Sequence, residues 1–214
     1  MSAGRQAVTE NKDWCTPQKY VDAVKRVWGG SIDLDPCSSI YSVVDAKTEF
    51  LLPETDGLFE EWDYPTVYVN PPYGNDKDRG TTIRDWFRKI ATTYQKYNNE
   101  VIALVPVATN TSHWKRYVYP LASSICFLYD TRLKFIIGGS NENKGAPMSC
   151  CAIFYGGNPS SFMEEFSSFG ATLPLSGVML PKPSMEYEQI GFHNINTFAE
   201  KQVEYKHSST GTSE

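Results

Sequence analysis

Apolar residues recur along this chain at two spacings, and the switches between them mark its elements. Tyr20, Val21, Val24, Val27 and Trp28 fall at helical intervals between Thr16-Pro17 and Gly29-Gly30, which predicts a short amphipathic helix over residues 18–28. Residues 31–36 read as a brief strand ending in a turn, and 43–50 as a second short strand. A β-branched and aromatic run at 66–69 leads directly into Asn70-Pro71-Pro72-Tyr73-Gly74, so a strand there delivers a loop. Trp86, Phe87, Ile90 and Tyr94 predict a helix over 83–97. The nearly continuous apolar stretch 101–107 predicts a strand buried on both faces. Another helical stretch around 112–119 follows, then strand patterns at 125–129, 133–137 and 150–155. Between the last two, 138–147 is rich in Gly and Asn and reads as a mobile connection. Beyond about residue 175 the periodicity fades.

Strands alternating with helices, then a hairpin-like pair late in the chain, predict an α/β domain with a mostly parallel sheet and an antiparallel edge hairpin. The expected organisation is a flexible N-terminus at 1–12, one domain at 13–175 and a C-terminal extension at 176–214 whose last residues, 208–214, are frayed. No stretch approaches the roughly 18 continuous apolar residues of a spanning helix. Residues 1–12 lack the apolar core of a secretory signal, so a cytoplasmic protein is expected. The five cysteines, Cys15, Cys37, Cys126, Cys150 and Cys151, form no Cys-x-x-Cys pair and no spaced Cys/His set. Neither a metal site nor a disulfide framework is expected.

The net charge of −5 argues at first against a polyanionic partner. Its distribution changes that picture: residues 1–76 carry −7, 77–134 carry +6 and 135–214 carry −4. A basic block between acidic thirds suits one face that meets phosphates and another that meets a cation. The plainer alternative is that Arg84, Arg88 and Lys89 form the solvated face of a helix.

Asn70-Pro71-Pro72-Tyr73 is the sharpest chemical signal, standing at a strand end, where open α/β sheets bind their ligands. It resembles the catalytic motif of amino-group methyltransferases that use S-adenosylmethionine, in which Asp or Asn leads and an aromatic closes. The exocyclic amine of adenine is a poor nucleophile because its lone pair is delocalised into the ring. Two acceptors, the Asn70 side-chain oxygen and the Pro71 carbonyl, can take both N–H bonds, favour a pyramidal nitrogen and aim its lone pair. The prolines stiffen the loop and add no competing N–H donors. Tyr73 can stack on a base that has left the duplex.

The wider series adds Trp14-x-Thr16-Pro17, Leu34-Asp35-Pro36-Cys37, Asp56-Gly57-Leu58 with Trp62, Val105-Pro106 followed by Trp114, Arg132-Leu133-Lys134-Phe135, and Gly145-Ala146-Pro147. In that order the motifs resemble the phage-type, Dam-like DNA N6-adenine methyltransferases, over roughly residues 14–155. The resemblance implies a class I, Rossmann-like methyltransferase fold, S-adenosylmethionine as cofactor and DNA as substrate, in a bacterial cell, with a phage or prophage as one source of the gene. It implies that Thr16-Pro17 pack over the methionine end of the cofactor and that Asp35 meets its amino group, with Asp33 a weaker candidate. Asp56 would reach its adenine or ribose, and Trp14, Pro36, Cys37 and Asn70 complete the implied cofactor set. Phe135 would pack against the extruded base. One departure stands out: Pro36-Cys37-Ser38-Ser39 replaces the Gly-x-Gly that usually follows the first strand, and larger residues keep the backbone farther from a ligand.

Lys77, Arg79, Arg84, Arg88, Lys115, Arg116, Arg132 and Lys134 follow the motif in the basic block and are candidate phosphate contacts. With about 140 residues taken by the motif series, target recognition falls to loops such as 75–82 and 138–147. Three alternatives stay open: an RNA amino group as substrate, a protein glutamine amide, or a nucleic-acid-binding relative without catalysis.

Overall fold

The computed structural model describes residues 14–130, 132–138, 143–146 and 148–179. The chain divides into Met1–Val178 and Met179–Glu214, and every described residue but Met179 belongs to the first unit. The expectations for residues 1–12, for 208–214 and for the extension past 179 lie outside the described residues.

In chain order the elements are β1 (Trp14–Cys15), α1 (Gln18–Val27), β2 (Leu34–Asp35), β3 (Thr48–Glu49), β4 (Thr66–Val69), α2 (Ile83–Tyr97) and β5 (Glu100–Pro106). A π-helical turn (Trp114–Val118), β6 (Ser124–Leu128), β7 (Lys134–Ile137), β8 (Asn143–Gly145), β9 (Cys150–Tyr155), α3 (Ser160–Phe166) and β10 (Gly170–Pro174) follow. Helix α1 buries Tyr20, Val21, Ala23 and Val24 on one face. It stops where Gly29 and Gly30 turn to φ of 71° and 113°, conformations that glycine adopts without steric cost, and the Gly30 N–H donates to the Lys25 carbonyl at 2.7 Å. At the start of α2 the Asp85 carboxylate accepts the Thr82 N–H at 2.8 Å, and left-handed Asn98 (φ 52°) closes its end.

Seven strands form one sheet in the order β10-β6-β9-β5-β4-β2-β3. β3, β2, β4 and β5 are parallel, β9 runs antiparallel between β5 and β6, and β10 pairs antiparallel with β6. Five strands therefore run one way, yet three of the six pairings are antiparallel, so the antiparallel part is wider than the expected edge hairpin. The reason lies in β9, all six residues of which are buried. A strand with both faces and both edges covered belongs inside a sheet. Nor do the two late strand patterns pair with each other. β7 joins β1 and β8 in a separate three-stranded antiparallel sheet. Part of the segment expected to be mobile is thus strand β8, with Lys134 opposite Gly145, while 139–142 and 147 lie outside the described residues.

Alternation along the central strands divides the core between two faces. Ile102 and Leu104 of β5 pack with Tyr20 and Val24 of α1 and Phe162 and Phe166 of α3. Val101, Ala103 and Val105 pack with Trp86, Phe87 and Ile90 of α2 and with Trp114 and Val118 of the π-helical turn. Helices therefore cover both faces of the sheet. Among the described residues no helix is long and apolar enough to cross a membrane.

Candidate active site

β2 and β4 are neighbours in parallel register, with Leu34 opposite Val67, so the loops leaving their carboxyl ends emerge side by side. One loop begins Asp35-Pro36-Cys37-Ser38-Ser39 and the other is Asn70-Pro71-Pro72-Tyr73. β1 and β7 bring Trp14, Cys15, Thr16 and Phe135 to the same place. These elements enclose an open cleft lined by Trp14, Cys15, Thr16, Asp35, Cys37, Ser38, Ser39, Ser42, Val44, Asn70, Pro71, Pro72, Tyr73 and Phe135. It holds about 760 Å³ of space, counting the part open to solvent.

Asn70 is oriented from β1: its Nδ2 donates to the Trp14 carbonyl at 3.1 Å. Oδ1 accepts no hydrogen bond from any described residue, and Asn70 lines the cleft. The Tyr73 hydroxyl donates to the Leu104 carbonyl at 3.2 Å, and its ring meets Phe135 edge to face, with centroids 5.7 Å apart. Trp14 packs on the same Phe135 at 5.5 Å. Three aromatic rings therefore form one wall. Thr16 could have served as a helix cap, but its hydroxyl is bonded to the Tyr68 hydroxyl at 2.7 Å. α1 has no side-chain cap, and the Pro17 carbonyl accepts the Tyr20 and Val21 N–H groups instead.

Asp35 is buried at 3% exposure, and among the described residues no lysine or arginine pairs with it. Loss of hydration is the main cause that raises its pKa to about 7; the nearby Glu49 charge adds to this and the Cys37 N–H, donated at 3.1 Å, opposes it. Burial also pushes the Cys37 thiol and the Tyr73 and Tyr68 phenols well up. Ser38 Oγ is buried without a hydrogen-bond partner among the described residues. The cleft thus contains a buried carboxyl group with no cationic partner among the described residues and an unsatisfied hydroxyl, both of which a polar cationic ligand would relieve.

Residues 4–170 match the model of a family described as DNA N-6-adenine-methyltransferase (Dam). The chain belongs to that family. Comparison with curated proteins gives no match. The family's activity is N6-methylation of adenine in DNA, and the motif series read from the sequence follows the same family.

Several residues singled out in this Dam-family sequence lie outside the cleft. Asp33 stands before β2, at the amino ends of the strands, where Lys47 pairs with it at 2.7 Å and the Thr66 hydroxyl donates to it at 2.8 Å. These bonds hold its carboxyl below the usual range, with the Lys47 contact the largest cause. Asp56 caps its own turn by accepting the Leu58 N–H at 3.0 Å, and Arg79 Nη1 reaches its other oxygen at 2.7 Å. Arg79 also meets Asp76 at 2.9 Å and is only 14% exposed. The residue expected on a phosphate and the residue expected on the cofactor are therefore partners in an internal ion pair. Pro17 and Pro36 do not line the cleft; Pro36 is buried, with its carbonyl against Gly57. Lys77, Arg84, Lys115, Arg132 and Lys134 are exposed, whereas Arg88 and Arg116 are half-buried. Lys89 turns inward over the Trp62 ring. Sequence reasoning missed Cys15, Ser38, Ser39, Ser42 and Val44 as cleft residues. A signal was available for Ser38 and Ser39, which occupy the place of the missing glycine loop.

Proposed function

We propose that this chain transfers a methyl group from S-adenosylmethionine to the 6-amino group of an adenine turned out of DNA into the cleft. The catalytic unit is residues 13–175, on a class I, Rossmann-like fold, with 176–214 as an extension. The observation that carries the reading is the convergence of Asn70-Pro71-Pro72-Tyr73 with a buried Asp35 that has no lysine or arginine partner among the described residues, at adjacent parallel strand ends. The cleft suits the cofactor: a cationic ammonium or sulfonium would neutralise Asp35, and the unpaired Ser38 hydroxyl could bond its polar end. Thr16, Cys37 and Trp14 would hold the same ligand. When bound, S-adenosylmethionine supplies an electrophilic methyl group.

The remaining work belongs to the chain. Asn70 Oδ1 and the Pro71 carbonyl accept the two N–H bonds of the target amine, which localises the nitrogen lone pair and points it across the cleft. Tyr73 and Phe135, with Trp14 behind them, offer an aromatic wall for the extruded base. No dedicated base is required, since the cationic amine formed on adenine loses its proton readily to water. Exposed Lys77, Arg84, Lys115, Arg132 and Lys134 supply phosphate contacts.

Replacing Asn70 tests the reading. Asn70→Ala is expected to lower methyl transfer by about a hundredfold or more, the scale seen when one preorganised polar contact to the reacting group is removed. Cofactor binding, followed by calorimetry, should persist. Unchanged turnover in Asn70→Ala would remove Asn70 from the mechanism.

A further inference from the structure

Asp or Asn leads the amino-group methyltransferase motif that residues 70–73 resemble, and the structure gives this chain a reason to carry the amide. The atom of residue 70 that faces β1 lies 3.1 Å from the Trp14 carbonyl oxygen. A carbonyl oxygen only accepts, so the group opposite it must donate. Asparagine meets this need with its NH₂ and keeps Oδ1 for the cleft. An ionised carboxylate would set one acceptor against another.

From this geometry we infer that the Trp14 carbonyl is a positioning group that orients the Asn70 amide, so that position 70 of this chain needs a side chain that both donates to β1 and accepts from the target amine. The inference rests on the reading of Asn70 as the amine acceptor. β1 is well placed for this role, since Trp14 lies opposite Ile137 and Cys15 opposite Ile136 in the ladder with β7, and the Trp14 ring rests on Phe135. The three-stranded sheet thus does more than wall the cleft. It presents a fixed acceptor that selects the rotamer of the catalytic amide.

An aspartic acid at this position can copy asparagine only in its protonated form, with O–H toward Trp14 and C=O toward the amine. The titratable groups sharing the cleft are Asp35 and Cys37 from the β2 loop, Cys15 from β1 and Tyr73 from the loop of Asn70 itself; Phe135 from β7 has no charge. Cys37 and Tyr73 are pushed well up by burial and stay neutral near neutrality. Asp35 stands at about 7 in the free protein, and the cationic cofactor bound at saturation in a kcat measurement holds it ionised in native and variant protein alike, so the ratio of their rates removes its contribution to first order. Its negative charge also favours protonation of a second carboxyl group nearby.

The experiment measures kcat of Asn70→Asp and native protein on duplex DNA between about pH 8 and about pH 5.5, a window around the ordinary range of a raised carboxyl pKa. Near pH 8 the variant is expected to be slower by about tenfold or more, with the variant-to-native ratio rising by up to about tenfold per pH unit on acidification. A ratio that is flat, that rises toward alkaline pH, or that equals one throughout overturns the positioning role. Asn70→Ala separates the two levels of the claim. Native-like transfer by Asn70→Ala defeats the reading of Asn70 as acceptor, whereas an inactive Asn70→Ala beside a flat Asn70→Asp ratio defeats only the role of Trp14. Thermal unfolding checks that Asn70→Asp folds. If it does not, the side-chain amide of Asn70 in native protein labelled with ¹⁵N-asparagine decides: slow hydrogen exchange supports the contact, and exchange as fast as in exposed asparagines overturns it.

Discussion

Asp35 ties the electrostatics of the cleft to a measurable dependence on pH. Its folded-state pKa of about 7 lies above the ordinary carboxylate value near 4, because burial penalises the charged form. Between about pH 4 and about pH 7 the unfolded chain gives up this proton while the folded chain keeps it. The contribution of Asp35 to stability is therefore fully present below that window and is lost as pH rises through it. A cation bound beside the carboxylate reverses the preference and expels the proton. Calorimetric titration with S-adenosylhomocysteine, which keeps the ammonium, is expected to show proton release near neutral pH when buffers of different ionisation enthalpy are compared. Asp35→Asn should abolish that release and weaken binding by about ten- to a hundredfold, the value of a charge-assisted hydrogen bond. Equal proton release by both proteins would show that Asp35 does not face the cation. At this scale the sequence was informative where chemistry is carried by residue type: Asp35, Asn70 and Tyr73 all reach the cleft. It does not reveal where a charged residue has another local partner. Asp33 and Arg79 offer the right groups, but Lys47 with Thr66 and Asp56 with Asp76 already engage them.

Three loops around the cleft are fastened to one another by contacts between elements. A Cβ on Gly57 would fall 1.7 Å from the Pro36 carbonyl oxygen, so only glycine lets the turn at Asp56 close onto the β2 loop. Arg79 then joins that turn to the loop after Tyr73, which Asp76 and Thr81 pinch together through paired backbone hydrogen bonds. The Arg79 and Asp56 side chains are 14% and 15% exposed, so solvent screens their attraction only in part. Arg79→Ala and Asp56→Asn are each expected to cost about 1–3 kcal/mol in urea unfolding, and the double variant about 0.5 kcal/mol or more less than their sum. Strict additivity would mean that the pair does not couple the loops. Elements with a strong local pattern were legible: β4, α2 and β9 have the predicted bounds. β1, β8, α3 and β10 were not anticipated. β1 is two residues whose partner, β7, lies far along the chain, and β10 is a partly exposed edge strand, so neither has enough local periodicity to stand out. α3 has one useful signal, Phe162 and Phe166 four residues apart, in a helix too short to show a repeating face.

Across the whole molecule, the net charge of −5 conceals an uneven distribution of charge. The acidic first third contributes the buried carboxyl group of the cleft, and the basic middle contributes exposed Lys77, Arg84, Lys115, Arg132 and Lys134. Sheet topology was legible in class and not in order. Patterns along single strands reveal burial, whereas the insertion of β9 between β5 and β6 depends on pairings between distant segments. The most direct test of the account supplies purified protein with S-adenosylmethionine carrying a tritiated methyl group, together with duplex DNA, RNA and a protein substrate in parallel, and separates the products as nucleosides and amino acids. Label is expected in N6-methyldeoxyadenosine from the duplex. Label confined to RNA, to glutamine or to another base would contradict the account.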